Sequence, residues 1–182
     1  MSQGWLDLLA LQQLNERLKD ELARNPFLAP SPRRPVRREQ TLSAPTPERW
    51  TREHGHPDEE VWMAVIDIGH PDAVVTLVAI ADGTTRVFFD GQGGVIRADQ
   101  RPDVRRASHE LLAAAALGLA VCVPVEAAPR PGVGRVAFYL RTSDAMRGTE
   151  ASTRELTDGG HPMSPVYRAA LSLLETVRDG SD

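Results

Sequence analysis

The sequence predicts an α+β domain with a mainly antiparallel sheet of about five strands, in the order βββ-α-ββ-α, with helices on one face. Three observations carry that prediction. Residues 60–98 read as a three-strand meander, the connections between strands are too short for parallel crossovers, and two amphipathic helical patterns follow. An N-terminal amphipathic helix and a Pro/Arg-rich linker precede the domain. The expected division is 1–24 docking helix, 25–59 flexible linker and 60–182 α+β domain.

Within the meander, residues 61–68 form a continuous apolar run that ends at the turn Gly69-His70-Pro71-Asp72. Residues 73–80 form a second run, dense in β-branched side chains that pack well on a pleated surface. Asp82-Gly83 supplies the positive-φ positions of a tight hairpin, and residues 84–89 return as a third strand. Val95-Ile96-Arg97-Ala98 extends or edges this sheet.

A helix is predicted from Arg101-Pro102-Asp103, with Pro in a starting position and an acid near the positive helix end. It runs to about Leu119 and turns Val104, Ala107, Leu111, Leu112, Ala115 and Leu119 toward the sheet. Cys122, the single cysteine, follows in an apolar stretch and reads as a small buried hydrophobe. A Pro/Gly loop covers 126–134, residues 135–142 form a fourth strand, and 149–155 return as a polar edge strand. Ser164-Pro165 is read as N-cap and first helical position of a closing helix. That helix extends to about Arg178 through Val166, Tyr167, Ala170, Leu171, Leu174 and Val177.

The N-terminal pattern is a different object. Trp5, Leu8, Leu11, Leu18 and Leu22 fall near one helical face, and Leu9 and Leu14 widen the stripe. With Leu8 at heptad position a, Asn15 also falls at a, a known register device in two-stranded coils. Such a stripe needs a surface to cover it, whether its own domain, another protein or a second copy. Asn25-Pro26 ends the helix. Seven of the 14 prolines lie between 26 and 59, where large apolar residues are scarce, so a solvated linker is expected. Its one charge cluster holds Arg33, Arg34, Arg37 and Arg38, a candidate contact for an acidic partner, nucleic acid or anionic lipid.

Bulk composition narrows the function classes. At 182 residues and 41% hydrophobic, the chain suits one soluble domain with an appendage. A net charge of −4 leaves no basic footprint for nucleic acid. One cysteine allows no internal disulfide and no cysteine-based zinc site, which fits a reducing cytoplasm. No apolar run reaches the roughly 20 residues of a membrane span, and the N-terminus lacks the basic region of a signal peptide.

Motifs that resemble chemistry have plainer readings. Gly-His-Pro occurs at 55–57, 69–71 and 160–162, each time at a turn where Gly and Pro shape the backbone. Among the histidines only His54 and His56 are close, so a metal site is not expected. Asp90-Gly91-Gln92-Gly93-Gly94 matches no phosphate-loop pattern and reads as a long hairpin turn. Ser108 and His109 are helix neighbours whose side chains diverge by about 100°, so they form no nucleophile–base pair.

Asp82-Gly83-Thr84-Thr85-Arg86-Val87-Phe88-Phe89, the Gly93-Gly94-Val95-Ile96 turn and His161-Pro162-Met163-Ser164-Pro165 resemble a group of small bacterial proteins of unestablished function, over about 60–180. That resemblance implies no functional residues. The element order is also similar to that of class I type III secretion chaperones, acidic homodimers that bind extended segments of partners. This is an analogy of fold alone, and the long linker departs from it.

The expectation is therefore a non-enzymatic, cytoplasmic binding or assembly module that needs no cofactor. Its partner would be another protein, or a second copy, held by the N-terminal helix. A small-ligand sensor using the open sheet face is the alternative, and an enzyme using turn His and Asp residues stands third.

Overall fold

Alternation along the strands decides which layer each residue serves. The computed structural model describes residues 38–42, 61–71, 73–89, 95–97 and 101–179. These form strands β1 (Met63–Gly69), β2 (Val74–Ile80), β3 (Thr85–Phe89), β4 (Val95–Arg97), β5 (Val123–Pro124), β6 (Arg135–Arg141) and β7 (Met146–Ser152). The helices are α1 (Arg38–Leu42), α2 (Pro102–Gly118), α3 (Thr153–Thr157) and α4 (Ser164–Asp179), with a 3₁₀ turn at Leu119–Val121. The fold is α+β, as the sequence predicts.

The strands lie in one sheet in the order β4-β3-β2-β1-β6-β7-β5, with every pairing antiparallel. Two short strands, β4 and β5, raise the number from the expected five to seven. The meander β1–β3 forms as expected, and Gly83 takes φ +87° in its second turn. There the Thr84 N–H bonds the Asp82 carboxylate at 2.8 Å, which fixes the turn locally. The chain then leaves the β4 edge through α2 and returns on the far side, so β6 pairs with β1. The separate β6–β7 hairpin thus pairs alongside β1, the central strand.

One face carries Ala64, Ile66, Ile68, Val75, Leu77, Ala79, Val87, Phe89, Val136, Phe138 and Leu140. Helices α2 and α4 cover it. Val104, Ala107, Leu111, Leu112 and Ala115 point inward as predicted, whereas Leu119 falls in the 3₁₀ turn and is only partly buried. In α4 the buried apolar set is Val166, Tyr167, Ala170, Leu173, Leu174 and Val177. Leu173 therefore takes the place expected of Leu171, which packs at the margin.

Two local expectations are corrected. The return strand spans 146–152 rather than 149–155, because Ser152 and Glu155 form a reciprocal capping box that starts α3. At the start of α4, Ser164 does not cap: its hydroxyl has no partner among the described residues. The His161 imidazole Nδ1 instead accepts the Met163 N–H at 3.1 Å. That contact gives this Gly-His-Pro histidine a structural role in the turn.

The second sheet face was expected to be open. It is buried. Trp62, Met63, Val65, Val78, Phe88, Ala137 and Tyr139 form a second apolar cluster, and Leu42 of α1 packs into it. Val125 and Ala128 of the β5–β6 connection close its margin. No helix among the described residues is long and apolar enough to cross a membrane.

Candidate functional site

Among the described residues the second face holds one buried carboxylate, and its surroundings define the candidate site. Asp67 sits mid-strand on β1 with Thr76 of β2 and Ala137 of β6 as its cross-strand neighbours. Its side chain has 0% exposure. A carboxylate this deep requires strong hydrogen-bonding partners, because desolvation otherwise disfavours its charge. Thr76 Oγ1 donates to Oδ1 at 2.5 Å. The remaining partner comes from α1.

Arg38 Nε lies 3.1 Å from Asp67 Oδ1 and 2.9 Å from Oδ2, and Arg38 Nη2 also donates to Oδ2. Arg38 Nη1 donates to the Ala128 carbonyl at 2.9 Å. The guanidinium carbon stands 5.6 Å from the centre of the Tyr139 ring, within cation–π range. Tyr139 Oη donates to the Pro129 carbonyl. Burial pushes the Tyr139 phenol pKa upward, and the Asp67 charge adds to the shift. The phenol is therefore a neutral donor. Carboxylate, carbonyl and ring together match the planar fork of a guanidinium, which the compact ammonium of a lysine would not fill.

A second arginine holds the other end of α1. Arg141 Nη1 donates to the Leu42 carbonyl at 3.1 Å, at the helix end where carbonyls lack intrahelical partners. Its guanidinium carbon lies 5.6 Å from the Trp62 ring centre, and Trp62 Nε1 donates to the Thr142 carbonyl at 3.0 Å. The exposed Arg130–Glu39 pair at 3.4 Å adds little, since solvent screens it.

Arg38 is thus where expectation and structure part. The sequence places it in a basic cluster that faces a partner, within a flexible linker. Its side chain is only 7% exposed and neutralises an internal carboxylate, so for residues 38–42 the linker reading is corrected. Arg33, Arg34 and Arg37 lie outside the described residues, as do Trp5, Leu8, Leu11, Leu18 and Leu22 and the rest of the helix expected over 1–24. Asp67 and Thr76 escaped the sequence reading. Each is a polar residue inside an otherwise apolar run, and the hairpin register places them opposite each other.

The other candidate groups stay apart. Ser108 is fully buried whereas its neighbour His109 is exposed, so the helix separates them. Cys122 is buried, its Sγ 3.6 Å from the Gly118 carbonyl, and burial pushes its pKa up to about 11. His54, His56 and the 90–94 glycine turn lie outside the described residues. Among the described residues, no group of three His, Cys, Asp or Glu could hold a metal ion. No protein-family model matches this chain, and neither a curated protein nor a solved structure matches it.

Proposed function

We propose that the protein is a non-enzymatic binding or assembly module whose N-terminal helix docks on another protein or on a second copy of the chain. The observation that carries this reading is the apolar stripe of Trp5, Leu8, Leu11, Leu18 and Leu22. Helices α2 and α4 already supply the layer that closes the helical face of the sheet. That layer stands without the stripe, which supports a cover elsewhere, since an apolar stripe in water seeks one. The segment between Asn25 and Arg37, 13 residues long, gives the helix reach from its anchor at α1.

The test compares the full chain with a chain lacking residues 1–24. The proposal expects nearly equal melting temperatures, with self-association or partner capture lost in the shorter chain. A large drop in melting temperature would place the helix within the domain and overturn the reading.

A further inference from the structure

We propose that the α1 docking site is a receptor for an arginine carried on a helical turn, and that the chain's own Arg38 fills it as an intramolecular stand-in. The occupant that it takes in place of α1 is a partner-protein segment of the same chemistry: an arginine with an aliphatic residue four positions later. This rests on the reading of the protein as a binding module and names the surface and the partner segment that such a module would use.

Three features of the site support this. Its polar groups are complementary to one ligand geometry. The Asp67 carboxylate takes Nε and Nη2, the Ala128 carbonyl takes Nη1, and the Tyr139 ring lies against the guanidinium plane. A buried ion pair contributes little stability over a well-packed apolar pair, so such a site selects more than it stabilises.

The second feature is the occupant. Five residues make an isolated helix far too short to persist alone, so α1 exists only because it is docked. Arg38 and Leu42 lie four apart on its inward face, the spacing of anchors in helix-in-groove recognition. Its Thr41 hydroxyl is buried without a hydrogen-bond partner among the described residues.

Third, the receptor stands on rigid structure. Asp67, Thr76, Tyr139 and Arg141 all sit on three neighbouring strands of the sheet, and Arg141 is placed to receive the last carbonyl of whichever turn is bound. Leu42 packs in one cluster with Met63, Val65, Phe88 and Tyr139, an apolar floor with one charged centre at Asp67.

The experiment uses full-length protein and a fluorescent peptide of residues 34–46. In wild type, the tethered α1 competes at an effective concentration on the order of millimolar. Arg38→Ala removes the internal anchor and leaves the receptor intact. Peptide binding to Arg38→Ala should exceed binding to wild type by roughly tenfold or more. It should vanish in the Arg38→Ala/Asp67→Asn chain, and weaken when the peptide carries lysine at the arginine position. A cooperatively folded Arg38→Ala chain that binds no peptide would show α1 to be a structural clamp and overturn the proposal. Should Arg38→Ala not fold, methylguanidinium at millimolar concentration is added to it and to the double variant. Recovery of a cooperative melt in Arg38→Ala alone supports the receptor, and no recovery sinks it. These results do not depend on the helix over 1–24: peptide binding with an inert N-terminal deletion would refute the docking-helix reading and leave the receptor standing.

Discussion

Arg38 and Asp67, 29 positions apart in the chain, meet as a guanidinium fork on a buried carboxylate, and this contact ties α1 to the central strand of the sheet. Its energetics are asymmetric. Removing one partner strands the other charge in the interior, whereas removing both exchanges a polar pair for apolar packing.

Asp67→Asn and Arg38→Met should each lower unfolding free energy by about 3–5 kcal/mol in urea titrations. The double change Arg38→Met/Asp67→Leu should cost less than either single change. Additive losses in this cycle would show that the two residues do not act as a unit.

Gly69 ends β1 against the 132–134 turn, and its carbonyl accepts the Gly134 N–H at 3.0 Å. A Cβ there would stand 2.0 Å from the Gly132 carbonyl oxygen, a backbone atom that no rotamer change can move. Gly69→Ala is expected to destabilise by about 3 kcal/mol, the upper end of overpacking costs. A melting temperature equal to wild type would mean that the turn moves freely away.

Cys122 should label slowly in native buffer. Burial places its thiol pKa near 11, so little thiolate exists at neutral pH, and the side chain is enclosed. Rates should rise sharply on addition of denaturant. Fast native labelling at pH 7 would contradict the core placement.

The capping box gives a pH signature. Ser152 Oγ accepts the Glu155 N–H at 3.2 Å, and the Glu155 carboxylate accepts the Ser152 N–H at 3.1 Å. The Ser152 side-chain hydrogen bond, followed by its backbone one, holds the Glu155 carboxyl below its usual range. A depressed carboxyl pKa contributes stability that is present above the unfolded value of 4.5 and is lost as pH falls through the folded value. Ser152→Ala should cost about 1 kcal/mol at neutral pH. Its deficit should shrink as the pH drops below 4.5. A deficit that stays constant from pH 7 to pH 3 would rule out the linkage.

Much of the fold was legible because its signals are local. The 61–68 and 73–80 runs, the Asp82-Gly83 turn and the inward residues of α2 all report through spacing alone. The capping box at 152–155 was equally local, a Ser-x-x-Glu that the reading of 149–155 as strand concealed. The candidate site was legible only in halves. Asp67 and Thr76 lie hidden as single polar residues inside runs that read as apolar, and Arg38 stands in an arginine cluster, with nothing in the sequence to join them.

By itself the sequence determined the α+β class, the meander and the amphipathic faces, because hydrophobic periodicity and turn chemistry act over a few residues. Only the tertiary structure decided that β6 lies beside β1, that Leu42 of α1 packs on the second sheet face and that Arg38 answers Asp67. The physical reason is burial. An arginine in a proline-rich stretch has the same local sequence whether it faces water or a carboxylate, and only the folded sheet removes that carboxylate from water and makes the pairing necessary.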